Sequence, residues 1–249
     1  MRADTFRVVS TAALAGLLLV GCGTGTSSES SAPTDAASTT TSAGAPASSA
    51  PSGAAAADAD TTTADSLDVV VNKQNPLDPA DYTPDPLVAI EGQQLRGDAA
   101  EALETMLEDM RAEDITVSVT SAYRSYDTQV STYDHWVQQN GQVTADRISA
   151  RPGYSEHQTG LAVDLADGSG CDLQVCFSKT RAAQWAADNA FEYGFVLRFP
   201  EGKESITGYA YEPWHFRYIG RDQAEQFHAS GAKTLEEFYG TGAAADYIS

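Results

Sequence analysis

Apolar residues fall into three regimes along the 249-residue chain. An almost unbroken apolar run, VVSTAALAGLLLV from Val8 to Val20, opens it. From Gly23 to about Ala64 the chain is dominated by Ser, Thr, Ala, Gly, Pro and Asp and has no aromatic residue. A stretch with so little to bury is expected to stay disordered, as a tether. Only from about Leu67 onward do apolar positions recur with the periods of regular structure.

Leu103, Met106, Leu107 and Met110 recur at i, i+3, i+4 and i+7 and predict an amphipathic helix whose methionines belong to the core. Ile115 to Arg124 (ITVSVTSAYR) alternates and is rich in β-branched residues, so it predicts a strand that delivers Arg124 at its end. A helix over 126–139 follows, with Val130, Tyr133 and Val137 among its apolar positions. Ala182, Trp185, Ala186 and Tyr193 mark another over 179–193. VLRF (Val196 to Phe199) predicts a strand, and PEGKESITGYAYEPWHFRYIG returns from it as a hairpin with turn residues around Gly202. Two short helices close the chain, one after Gly220 and one opening at Thr234, where TLEE fits a capping box. Ahead of all these, DVVV is a candidate strand, and the four prolines that follow predict an irregular leader along the surface. Antiparallel strands, segregated helices and no repeated βαβ unit predict one α+β domain over 66–249.

The opening run divides the chain further. Arg2 and Arg7 precede 13 residues that would span only about 20 Å as a helix, short of the roughly 30 Å of a bilayer core. Residues 1–21 therefore read as a secretory signal. The run ends in LVGC, which resembles a bacterial lipoprotein signal, so Cys22 is the expected lipidation site and residues 22–65 the tether. An ordinary secretory signal with an incidental cysteine is the alternative. The expected location is the outer face of a bacterial cytoplasmic membrane, facing the cell wall.

Cys171 and Cys176 are the other two cysteines. An exported chain favours their pairing, which would contribute about 2 kcal/mol by loop closure; two free thiols or part of a thiolate metal site remain open. The net charge of −20 argues against nucleic acid or anionic lipid as a partner, since those need basic patches. A carboxylate-bearing substrate would need a local cation, for which Arg124 and Arg151 are candidates.

The candidate chemistry lies in RPGYSEHQTGLAVDLAD, Arg151 to Asp167. His157 and Asp164 stand seven positions apart, a spacing that cannot share one face of a strand, and Gly160 between them permits the bend. In YAYEPWHFRYIG, Glu212, Trp214 and His215 fall within four residues. Catalytic zinc takes three protein ligands and leaves one position for water, a count that His157, Asp164 and His215 fit, with Glu212 as candidate base. On spacing alone, a capped loop with an ordinary core histidine fits as well.

Three separated motifs, SAYRSYDTQ, SEHQTGLAVD and EPWH, resemble in order and separation those of the zinc D-alanyl-D-alanine carboxypeptidases of the VanY type, over about Asn72 to Tyr239. The resemblance implies the small zinc-peptidase fold shared with the hedgehog signalling domain, with one zinc ion on a central antiparallel sheet. It implies His157, Asp164 and His215 as ligands and Glu212 as base. It further implies that Arg124 holds a substrate carboxylate and the oxyanion, that Gln129 hydrogen-bonds the peptide, and that Ser155 contacts substrate. Trp214 reads as packing wall, substrate contact or both. The family commonly has glycine where this chain has Ala122. The implied activity is removal of the terminal D-alanine from peptidoglycan stem peptides by a monomer. L,D-carboxypeptidase or endopeptidase action on the same scaffold, or a catalytically idle wall-binding lipoprotein, are the rivals.

Overall fold

The computed structural model describes residues 58–248. The expected signal segment, Cys22 and most of the expected tether lie outside the described residues. The folded region starts earlier than residue 66: the Thr61 carbonyl accepts a hydrogen bond from Val70 N, and Ala64 is buried with Val69, Val71 and Leu77.

In chain order the elements are β1 (Leu87–Ile90), β2 (Gln93–Arg96), α1 (Gly97–Ala112), β3 (Ser118–Ser121), α2 (Tyr126–Asn140), α3 (Gln142–Ile148), β4 (Ala162–Ala166), α4 (Arg181–Asn189), β5 (Phe195–Leu197), α5 (Glu204–Thr207), β6 (His215–Tyr218), α6 (Arg221–Ser230) and α7 (Leu235–Tyr239). β1 and β2 form a small antiparallel hairpin, and the other strands form an antiparallel sheet in the order β3-β4-β6-β5. The architecture is α+β.

The core lies between α1, α4 and one face of this sheet. Leu103, Met106, Leu107 and Met110 of α1 are all buried, as their spacing predicts, against Leu161, Val163, Leu165, Phe195 and Phe216. Central β4 is buried throughout, so its two faces meet different surroundings. Val163 and Leu165 enter the core, while Asp164 looks the other way.

Several expectations are corrected. The strand expected over 115–124 is confined to Ser118–Ser121, where the ladder shifts register between Val119 and Ser121. DVVV forms no strand. Val70 packs with Val196, Ile219 and Leu235, and its neighbours Val69 and Val71 with Leu77, so burial on two sides rather than sheet pairing explains three successive valines. The helix expected over 179–193 is α only over Arg181–Asn189 and ends in a 3-10 turn. β5 and β6 pair as antiparallel neighbours, but a long connection containing α5 separates them. The β1–β2 hairpin was not anticipated; Glu91 and Gly92, both at positive φ, make its two-residue turn. At Thr234 the cap forms: its hydroxyl accepts from Glu237 N. Among the described residues no helix is long and apolar enough to cross a membrane.

Candidate metal centre

Strand alternation builds the site. On β6, Phe216 enters the core and His215 faces the side that Asp164 occupies on β4, and these two are direct register partners. His157 arrives from a 3-10 turn, Glu156–Thr159, that ends at Gly160 in the left-handed region, φ +69°. A Cβ there would lie 3.1 Å from Pro84 Cγ and 3.2 Å from Arg96 N, so the bend needs glycine for close approach as well as for conformation.

His157 Nε2 lies 3.3 Å from Asp164 Oδ2, and His215 Nδ1 lies 3.1 Å from Asp164 Oδ1. One donor atom from each of the three residues comes within 4.8 Å of the others. All three side chains are buried, and Asp164 Oδ1 has no hydrogen-bond partner. A buried carboxylate oxygen left unpaired beside two imidazoles is costly. A divalent cation would satisfy it, and two nitrogens with one oxygen are a donor set that suits zinc. His157 Nδ1 lies 2.7 Å from the Ala122 carbonyl, which turns Nε2 toward Asp164. Because that partner is main chain, alanine at 122 keeps the contact. His215 Nε2 faces Glu156 Oε2 at 3.6 Å.

Charge in the site follows from burial and neighbours. Burial pushes the Asp164 carboxyl up, but His157 and His215 outweigh it and hold the group well below the usual carboxylate range. Burial pushes His157 down despite Asp164. At His215 the same burial effect is overcome by the carboxylates of Asp164 and Glu156, which raise it to about 9. Glu212 Oε2 is 3.7 Å from His215 Nδ1, with the side chain only 14% exposed. Burial raises its carboxyl to about 7, against the pull of His215. Its backbone is fixed by Glu212 N donating to the Phe199 carbonyl at 3.0 Å and its own carbonyl accepting from His215 N at 3.2 Å.

These groups line one cleft of about 660 Å³, together with Arg124, Ser155 and Trp214. Arg124 donates through Nη1 to Gln129 Oε1 at 2.8 Å and through Nη2 to Ser121 Oγ at 3.1 Å, which fixes its guanidinium. Its backbone N donates to the His157 carbonyl at 3.1 Å, tying the cation to the metal turn.

The family model for VanY, D-alanyl-D-alanine carboxypeptidase, matches residues 92–221. YodJ of Bacillus subtilis (strain 168), named as a carboxypeptidase, is 41% identical over 181 residues, covering 68% of this chain and 66% of that protein. The chain belongs to the VanY family of D-alanyl-D-alanine carboxypeptidases. Among solved structures, the L,D-carboxypeptidase DacB from Streptococcus pneumoniae aligns with TM-score 0.60 and 42% identity, over 72% of this chain and 89% of that one. The vancomycin-resistance D,D-pentapeptidase VanY, solved as a mutant with Zn(II), aligns with TM-score 0.60 and 29% identity, over 70% of this chain and 98% of that one. The chain thus spans just under two thirds of YodJ and most of each structural relative.

In this VanY-family chain the structure brings His157, Asp164, His215, Glu212, Arg124, Ser155 and Trp214 to one cleft. Trp214 also packs against the core. Two of the expected residues stand outside the cleft lining. Gln129 is fully buried, and its amide donates to the Ala150 carbonyl at 2.6 Å while accepting from Arg124. It orients Arg124. Arg151 is held by Asp146 at 2.9 Å and lies over the Tyr247 ring, outside the cleft lining. Cys171 and Cys176 are bonded, which sets aside the free-thiol and thiolate-metal alternatives. Glu156 was missed. It sits beside a ligand within a recognised motif, yet only the fold reveals that it faces His215 and that its Oε1 accepts from both Arg198 Nε and Arg217 Nη1, each at 2.8 Å.

Proposed function

We propose that this chain is a zinc-dependent carboxypeptidase that releases the terminal D-alanine of a peptidoglycan stem peptide. The observation that carries the reading is the convergence of the His157–Asp164–His215 trio, Glu212 and Arg124 on one cleft. His157 Nε2, His215 Nδ1 and Asp164 would hold the ion. Zinc in such a three-ligand site acts as a Lewis acid and lowers the pKa of water from about 15.7 to about 7. Glu212, buried beside His215 with Oε2 3.7 Å from its Nδ1, is placed to accept a proton from the attacking water and return it to the leaving amine. Arg124, its fork set by Gln129 and Ser121, offers a planar pair of donors to the substrate carboxylate and to the developing oxyanion. Ser155 and Trp214 form the adjoining wall.

The family's described activity favours D,D-cleavage of a pentapeptide. One observation favours an L,D reading on the tetrapeptide: the L,D-carboxypeptidase DacB is 42% identical, against 29% for the D,D-pentapeptidase VanY. Export behind the signal at residues 1–21 and anchoring through lipid on Cys22 complete the proposal and would set the enzyme beside its wall substrate.

Mass spectrometry of stem pentapeptide, tetrapeptide and a cross-linked dimer after incubation, with and without a zinc chelator, tests it. The reading expects chelator-sensitive loss of one alanine from one of the two stem peptides. Cleavage only within cross-linked dimers would mean an endopeptidase, and no cleavage of any of them an idle wall-binding protein.

A further inference from the structure

Of the seven large apolar side chains exposed among the described residues, four line this one cleft: Trp136, Ile148, Leu173 and Val175. Scattered exposed apolar residues are ordinary, whereas a cluster around a cleft marks a contact surface. Trp136 and Ile148 come from α2 and α3, and Leu173 and Val175 from the loop closed by Cys171 and Cys176. The charged members of the lining, Arg124, Glu156, Asp164 and Glu212 with the two histidines, belong to the floor.

The loop is held at both ends. Cys171 packs against the core and Phe177 is fully buried. Asp172 Oδ1 accepts from Asp167 N at 3.1 Å and Gly168 N at 3.2 Å, and the Cys171 carbonyl accepts from Gln174 N at 3.0 Å. Within this frame Leu173 has φ +55°, a conformation natural to glycine and rare for a bulky residue. A leucine there is 47% exposed, so it serves neither the backbone nor the core. Outliers of this kind concentrate at functional sites.

We infer that Leu173 and Val175 are specificity-determining residues: with Trp136 and Ile148, which line the same cleft, they make an apolar lip that grips the uncharged, aliphatic part of the substrate upstream of the scissile bond. The inference rests on the proposed carboxypeptidase reading. A cleft charged at its floor and apolar at its lip fits a peptide whose terminal carboxylate reaches Arg124 while its aliphatic portion crosses the loop.

The test uses wild type, Leu173→Gly and Leu173→Met on two substrates: the stem peptide that wild type cleaves, and the acylated C-terminal dipeptide of that peptide, too short to reach the lip. Leu173→Gly removes the side chain and relieves the backbone, so zinc content is expected unchanged and Tm unchanged or higher. KM for the full peptide is expected to rise roughly ten-fold with kcat preserved, KM for the dipeptide to change less than about two-fold, and Leu173→Met to retain the wild-type KM. An unchanged KM for the full peptide, or an equal rise for both substrates, overturns the lip. Wild type that releases no alanine from stem pentapeptide or tetrapeptide overturns the reaction reading beneath it, an outcome distinguishable before any variant is compared.

Discussion

His215 stands between two carboxylates, with Asp164 at Nδ1 and Glu156 at Nε2. In the metal-free protein these carboxylates raise the imidazole to about 9, against the effect of burial. A ligand nitrogen must be deprotonated to bind a cation. Zinc uptake at pH 7 is therefore expected to release about one proton from His215 and part of another from Glu212, whose carboxyl is raised to about 7. Apparent zinc affinity should climb with pH until about 9 and then level off, since above that value no proton remains to displace. Calorimetry in buffers of different ionisation enthalpy measures the count. A release near zero at pH 7 would mean that the carboxylates do not govern His215. At this scale the candidate ligands could be named from the sequence, because their types and the motifs that resemble a known family carry the chemistry, and the fold brings them together. The roles of Gln129, Arg151 and Glu156 were not, because which side chain meets which depends on contacts between distant segments.

The elements meet in a buried ion cluster beside the candidate metal site. Arg198 beside β5 and Arg217 on β6 both donate to Glu156 of the metal turn, and Arg198 forks onto Glu236 of α7 at 2.9 and 2.7 Å. Arg217 also donates to the carbonyls of Leu67 and Val69, and Asn72 to Glu236, so the leader is bound into the same cluster. Opposite Arg217 on β4 stands Ala162, small enough to leave room for the guanidinium. Removing one partner of such a set leaves buried charge uncompensated, and Glu156→Gln is expected to cost about 3–5 kcal/mol. Urea unfolding with zinc chelated measures it; a cost below about 1 kcal/mol would show the cluster to be dispensable. Sequence periodicity disclosed α1, α2 and the Thr234 cap, where local spacing determines the outcome. It misread DVVV, whose valines are buried by packing on two sides, and it could not foresee four buried ionic residues, since charged residues are rarely buried unless paired and the pairing is tertiary.

Across the whole described domain the leader and the C-terminal segment brace the cleft. Leu77 N donates to the Gly153 carbonyl, Gln158 Nε2 to the Ala80 and Tyr82 carbonyls, Ile248 N to the Lys73 carbonyl, and Arg151 N to the Tyr247 hydroxyl. The α+β class and the three-motif site could be read from one sequence because each motif stays local to a strand end or turn. Their convergence required the sheet order β3-β4-β6, which sets Ser121, Asp164 and His215 side by side. The claim on which everything else rests is that Glu212 acts on chemistry at a metal held by the other three. The most direct measurement is zinc content and alanine release determined together on Glu212→Gln. The account expects one zinc per chain, as in wild type, with kcat lower by a factor of about 100 to 10,000. A variant that keeps both its zinc and its turnover contradicts it.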